Sequence, residues 1–243
     1  MPAEVYDADY YEHTRYADEP GQRAYVEHLT SFFVRFIEET QHSKNTDRLL
    51  DVGCATGDFV NWALQEGHNA EGIDSSEEAV RKGCGRGLPL RVASIYDLDK
   101  AEEQYDIITM WDVLEHLTRP REALERLYCI LKPGGYLFLK TVSSTSLLDL
   151  IAQFLYRVSL GRIQSPMKHI YVPGHLYYFT QPTLSHLLDL AGWLVEAIEQ
   201  TDTPAEALFR SRPLRVFVQA AFLFQRWSGR CYELMVVCRK NIM

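Results

Sequence analysis

Residues 48–58 read RLLDVGCATGD, and the fold turns on them. Arg48–Gly53 (RLLDVG) is the short apolar run of a buried strand. The small residues Gly53, Ala55 and Gly57 then let the chain turn sharply and approach a ligand closely before a helix over Gly57–Glu66, stopped by Gly67. A dinucleotide fingerprint would run G-x-G-x-x-G, but Ala55 replaces the second glycine and Asp58 takes the place of the third. A carboxylate facing that helix N-terminus repels the pyrophosphate that would sit there. With Asp51 at the strand's end, the loop suits a cationic ligand without phosphate, and S-adenosylmethionine has that character.

Outward from this loop, strands and helices alternate. His68–Asp74 (HNAEGID) reads as a second strand ending in Asp74, about 20 residues after the first glycine, where a carboxylate can accept both ribose hydroxyls. Ser75 with Glu78 forms an S-x-x-E capping box for the next helix. Leu88–Ala93 and Tyr105–Trp111 (YDIITMW) are the third and fourth strands. Pro120 opens a helix whose apolar stripe is Leu124, Leu127, Tyr128 and Leu131; Lys132–Gly135 ends it, and Tyr136–Val142 is the fifth strand. Such alternation predicts an α/β fold, doubly wound on a mostly parallel sheet, with ligands at the carboxyl ends of the strands. The residues after Leu50, Ile73, Ala93 and Met110 are therefore the place for a site.

The 243 residues carry a net charge of −8 and are 47% hydrophobic and 24% charged, as in an ordinary globular protein. The acidic balance speaks against a nucleic-acid partner and favours a small-molecule enzyme. Five cysteines without a CxxC pair suit a reducing cytoplasm, and the polar, aromatic N-terminal stretch MPAEVYDADYYEHTRY has no apolar signal core. No repeat or linker divides the chain, which is read as one domain over 1–243.

Five stretches, LLDVGCATGDF, AEGIDSSEEAV, YDIITMWDVLEHL, LKPGGYLFLKT and GHLYYFTQPTLSHLLDLAGW, resemble in order those of class I S-adenosylmethionine-dependent methyltransferases. The likeness is greatest to the bacterial group with a ubiquinone-biosynthesis-type methyltransferase domain. The resemblance implies a Rossmann-like seven-stranded sheet with helical lid insertions, its last strand, Tyr232–Arg239, antiparallel against Trp193–Gln200. It implies S-adenosylmethionine as cofactor and S-adenosylhomocysteine as product. Asp51, Gly53, Cys54, Ala55 and Gly57 would surround the methionine part, Asp74 the ribose, Ser75 and Ile95 the adenine, and Trp111 would lie near the sulfonium. Tyr11 and Tyr16, in an N-terminal helical cap over 1–45, are candidates to cover the cofactor. Ser94 stands where the family often has an acid for the adenine amino group, with Asp97 three places on; Thr141-Val142-Ser143 replaces the family's threonine-proline-asparagine.

Methyl transfer needs alignment and exclusion of water more than a catalytic triad, and a base only where the acceptor loses a proton. His116, at the helix start after the fourth strand, is the first candidate base, and His175 in GHLYYF the second. Asp112, Glu115 and His116 form a D-x-x-E-H cluster of the kind associated with a divalent metal in quinone-type relatives; the plainer reading gives them roles in the pocket and the helix start, and no metal ligands are assigned.

Two helical segments exceed the needs of the sheet. Ser146–Leu160 carries a narrow polar face of Asp149, Gln153 and Arg157. Ala205–Trp227 is broken at Pro213 and carries Leu214, Phe217, Ala221 and Phe224 as an apolar stripe, with Arg210, Arg212, Arg215 and Arg226 nearby. These insertions, within 143–179 and 203–228, are read as a lid over an apolar small-molecule acceptor. Shallow membrane-surface contact, extra core packing and a homodimer contact are the alternatives. The expected reaction is O-methylation of a small molecule; the rival readings are a non-catalytic cofactor-binding protein and an NAD-dependent oxidoreductase.

Overall fold

A computed structural model describes residues 19–38, 47–98, 105–162, 171, 174–208 and 212–242. Tyr11, Tyr16 and Arg210 lie outside the described residues. Helix α1 (Glu19–Ile37) precedes β1 (Arg48–Val52), α2 (Asp58–Gln65), β2 (Asn69–Asp74), α3 (Glu77–Gly85) and β3 (Leu90–Val92). Next come β4 (Tyr105–Trp111), α4 (Pro120–Ile130), β5 (Leu131–Val142) and α5 (Leu147–Val158). The chain continues through α6 (Gln181–Leu190), β6 (Leu194–Thr201), α7 (Ala205–Leu208), α8 (Arg212–Ser228) and β7 (Glu233–Arg239).

The seven strands lie in the order β3-β2-β1-β4-β5-β7-β6. All neighbours are parallel except β7, which runs antiparallel to β5 (Leu139↔Val236) and β6 (Ile198↔Val236). The order reverses between β1 and β4, so the carboxyl ends of those two strands flank the crevice where such sheets bind ligands.

Alternation of side chains along each strand divides the core in two. Leu50, Val52, Ile108, Met110, Leu137 and Leu139 face α4 and α6, meeting Leu124, Leu127, Leu184 and Leu188. Leu49, Ile107 and Phe138 face α1 and α2, meeting Phe33, Phe59 and Val60. Both faces are therefore covered, as the continuous apolar runs of β1 and β4 require.

The structure corrects several local expectations. The cap of α3 is Ser76, whose side chain accepts the Ala79 N–H, and not Ser75. An Asp74 oxygen takes the Ser76 N–H at 2.8 Å and keeps the chain extended one residue longer. The fifth strand begins at Leu131, because Leu131 already pairs with Tyr105 and a register shift before Ile107 absorbs the glycines; a Cβ on Gly135 would press against the Asp106 carbonyl. The segment from Ala205 divides into α7 and α8, with Pro213 in the first turn of α8, where its missing N–H costs nothing. Of the stripe Leu214, Phe217, Ala221 and Phe224, the side chains of Leu214 and Phe217 lie outside the described residues and Phe224 is exposed; Val218, Phe222 and Gln225 are buried. In α5 the polar face is buried at Asp149 and exposed at Arg157, and the apolar Ile151, Phe154 and Val158 are exposed.

Candidate active site

The loop after β1 turns through three left-handed residues, Gly53 (φ 74°), Ala55 (φ 48°) and Gly57 (φ 82°). A side chain at Gly53 would strike Val113, and one at Gly57 would strike Leu90 and Leu88, so only glycine fits either place. The N–H groups of Gly53 and Cys54 bond the Ile73 carbonyl at 2.8 and 3.0 Å, which ties the loop to the end of β2. The Ala55 N–H donates to an Asp74 oxygen at 2.8 Å. Each Asp74 oxygen thus holds one backbone N–H and keeps a lone pair for a ligand hydroxyl.

Asp51 lies beneath the loop, buried, with the Thr109 hydroxyl donating to it at 2.7 Å. Burial pushes its carboxyl up to about 7, with the charge of Asp74 adding to the shift. Burial also raises Asp74 above the usual carboxylate range. Among the described residues no cation pairs with either carboxylate, so a positively charged ligand would be drawn to this end of the sheet. Asp58 stands in the first turn of α2, as read from the sequence, but its charge is engaged. It pairs with Arg86 at 2.6 Å and accepts from Gln22 at 2.9 Å, so the case against a pyrophosphate rests on Ala55 and Asp51 instead.

Pairing of Asp74 with Val92 brings Ser75 and Ser94 to neighbouring strand ends. Ser94 caps the short turn Ile95–Asp97 by accepting the Tyr96 N–H, and Ile95 is buried beneath it. Trp111, at the end of β4, packs edge-on against Phe59 with ring centroids 5.4 Å apart, in the same core cluster as Cys54. Its indole N–H is buried and has no partner among the described residues.

The other half of the crevice was only partly expected. Asp112 has φ 55°, a conformation an aspartate tolerates, and accepts from Tyr25 of α1 and from Lys140 of β5, both at 2.6 Å. Lys140, 1% exposed, also pairs with Glu233 of β7 at 2.7 Å. Glu233 is further held by His28 at 3.3 Å and by the Thr203 hydroxyl. Burial opposes the Glu233 charge, but Lys140 and His28 outweigh it and hold the carboxyl below its ordinary range. The signal for this network was a lone lysine inside the apolar run LFLKTV, since a lysine is almost never fully buried unless paired.

The turn Leu114–His116 carries the candidate bases. Nδ1 of His116 lies 2.9 Å from the Gly174 carbonyl. A carbonyl only accepts, so Nδ1 holds the proton and Nε2 is the accepting nitrogen. The Leu176 and Tyr177 N–H groups bond the Glu115 carbonyl at 2.7 and 3.2 Å, which sets His175 edge-on to His116 at 4.6 Å. Burial, with His116 adding, pushes His175 down to about 4, so its ring is neutral at physiological pH. Burial and the nearby Asp112 push Glu115 up to about 8; Thr141 donates to one of its oxygens at 2.8 Å.

Asp112, Glu115 and His116 do not assemble as a metal set, because Asp112 is committed to Lys140 and Tyr25. Glu115, His116 and His175 do converge, their ligand atoms within 4.8 Å of one another. Lys140, itself paired with Asp112 and Glu233, adds a minor contribution to the lowering of His175, after burial and His116. Glu115, His116 and His175, and not Asp112, are therefore the residues that could hold a divalent ion.

Residues 22–198 match the family model described as a methyltransferase domain. The ubiquinone biosynthesis O-methyltransferase of Hydrogenovibrio crunogenus is 29% identical over 144 residues, 56% of this chain and 59% of the relative. That of Bordetella avium is 32% identical over 117 residues, 45% of this chain and 48% of the relative, so the chain spans about half the length of these relatives. Among solved structures, magnesium protoporphyrin IX methyltransferase from Synechocystis, with bound S-adenosylhomocysteine, shares the fold with a TM-score of 0.64 at 14% identity, covering 96% of this chain and 97% of that one.

Proposed function

Because the chain belongs to the methyltransferase-domain family and is an S-adenosylmethionine-dependent methyltransferase, we propose that it methylates a hydroxyl oxygen of a small, apolar acceptor, with His116 as general base. The observation that carries this reading is the tautomer of His116: its Nδ1 proton is held by the Gly174 carbonyl, which makes Nε2 the basic nitrogen of the ring. The names of the relatives, O-methyltransferases of ubiquinone biosynthesis, support an oxygen acceptor. The exposed Leu176 and Tyr177 beside the bases support an apolar one.

In this reading Asp74 holds the ribose hydroxyls, and Asp51 faces the positive end of the cofactor. Ser75, Ser94 and Ile95 take the adenine. Gly53, Cys54, Ala55 and Gly57 bring the backbone close to the methionine part, with Trp111 on the flank. The sulfonium supplies the activated methyl carbon. The protein's own work is to hold the acceptor oxygen in line, exclude water and take the proton. As the oxygen–carbon bond forms, the carbon–sulfur bond breaks and its electron pair stays on sulfur, giving S-adenosylhomocysteine. The acceptor's proton passes to His116 Nε2. His175 stays neutral and so does not oppose the imidazolium formed at 4.6 Å.

The test is release of S-adenosylhomocysteine with a panel of phenolic and catecholic acceptors. Turnover is expected, and His116→Ala should lower kcat by about 10²–10⁴-fold while leaving cofactor affinity unchanged. Turnover is also expected to survive EDTA. Its loss, with recovery on adding Mg²⁺ or Mn²⁺, would show that Glu115, His116 and His175 hold a cation after all. No product with any acceptor would leave a cofactor-binding protein in place of a catalyst.

Cofactor affinity should depend on pH through Asp51, whose carboxyl titrates at about 7 without ligand. A cationic ligand favours the carboxylate, lowering this pKa on binding, so affinity is full above that pH. It should fall toward about tenfold per unit as pH drops below 7. Asp51→Asn should weaken binding and flatten the profile. Calorimetry between about pH 5.5 and 8 checks both, and an unchanged slope in Asp51→Asn would remove Asp51 from this role.

A further inference from the structure

We propose that α8, with α5 beside it, docks this protein on the surface of an anionic lipid bilayer. The inner side of α8 is already engaged: Val218 and Phe222 pack with Ala205, and Gln225 donates to buried Asp202 at 2.7 Å. Its outer side carries Val216, Leu223, Phe224 and Trp227, all exposed, Trp227 by 82%, with Phe224 and Trp227 stacked 5.6 Å apart. Val216, Leu223 and Trp227 fall on one stripe, and the exposed Arg212, Arg226 and Arg230 accompany it.

Helix α5 repeats the arrangement. Asp149 is turned inward, bonded by Tyr171 at 2.8 Å and Gln153 at 3.0 Å. Ile151, Phe154 and Val158 face outward, and Leu160 just beyond the helix is 89% exposed, with Arg157 and Arg162 among them. The Leu147 N–H bonds the Arg230 carbonyl at 3.0 Å, which joins the start of α5 to the end of α8.

Charge decides the occupant. Residues 150–162 and 212–230 together hold six arginines and no aspartate or glutamate, in a chain of net charge −8. A second copy of the chain would bring the same arginines against them, like charge against like, with no carboxylate on the patch to pair them. A bilayer surface satisfies both features: apolar side chains enter the headgroup boundary, tryptophan is favoured there, and arginine stems bury while their heads meet lipid phosphate. Among the described residues no helix is long and apolar enough to cross a membrane, so the contact lies along the surface. This surface is independent of the acceptor and of His116.

Sedimentation of the purified protein with vesicles of phosphatidylcholine alone, and with phosphatidylglycerol added, tests the proposal. Binding is expected to the anionic vesicles and should weaken at high salt. In a Trp62→Phe background the emission of Trp227 should be quenched by brominated lipid, since Trp111 and Trp193 are buried. Leu223→Ser with Trp227→Ser should lower binding tenfold or more, and Arg226→Gln with Arg230→Gln should lower it about fivefold per arginine. Both double variants should keep the parent's unfolding temperature and cofactor affinity. No binding to anionic vesicles, equal binding without phosphatidylglycerol, or full binding by both variants would each overturn it. So would a dimer in sedimentation velocity that Leu223→Ser dissociates, which would make a second copy the occupant.

Discussion

Asp74→Ala is expected to lower affinity for S-adenosylmethionine and S-adenosylhomocysteine by about 100-fold or more. Hydrogen bonds to a charged group contribute about 1.5–3 kcal/mol each, so losing two from ribose hydroxyls reaches that figure. The same carboxylate holds the Ala55 N–H of the left-handed loop and the Ser76 N–H at the cap of α3. Part of the loss therefore comes from a loop no longer held in its binding shape. Asp74→Asn is the milder change: its one carbonyl oxygen can keep either the Ala55 or the Ser76 bond, while its NH2 can accept neither an N–H nor a hydroxyl proton. Its affinity should fall between the parent and the alanine variant. Calorimetry with both ligands measures this, and an alanine variant within threefold of the parent would contradict the ribose assignment.

Lys140→Met is expected to cost about 3–5 kcal/mol of stability, because it leaves buried Glu233 and half-buried Asp112 as neighbouring carboxylates without their shared cation. For a chain of this size, each kcal/mol moves the unfolding midpoint by about 2–4 °C, so a fall of about 10 °C or more should be seen by calorimetric melting. Adding Asp112→Asn and Glu233→Gln to Lys140→Met should recover much of the loss, since the penalty lies in unpaired charge more than in the lysine itself. A loss below about 1 kcal/mol in the single variant would mean that the network does not hold α1 and β7 to the site.

The strand–loop–helix unit from Arg48 to Gln65 was readable because its signals are local. A buried strand, alternate small residues and a helix start all fall within a few positions, and the structure needs left-handed backbone at Gly53, Ala55 and Gly57. The fourth strand was found to the residue, since a run covered on both faces is apolar without interruption. Local signals erred where two neighbouring positions offered the same chemistry. Ser75 and Ser76 can both cap a helix, and only the Asp74 carboxylate chooses between them.

The sequence by itself determined the alternating sheet, the left-handed loop and the acids at the ends of β1 and β2, because each depends on periodicity or on backbone freedom within a short stretch. The tertiary structure alone decided that Lys140 joins Asp112 to Glu233, and that His175 comes from far along the chain to stand beside His116. Those contacts depend on strand order and register, which pair residues without any sequence spacing to announce them. It also decided which side of α5 and α8 faces out. A helix with apolar residues on both sides has no preferred inner face until its neighbours bury one of them.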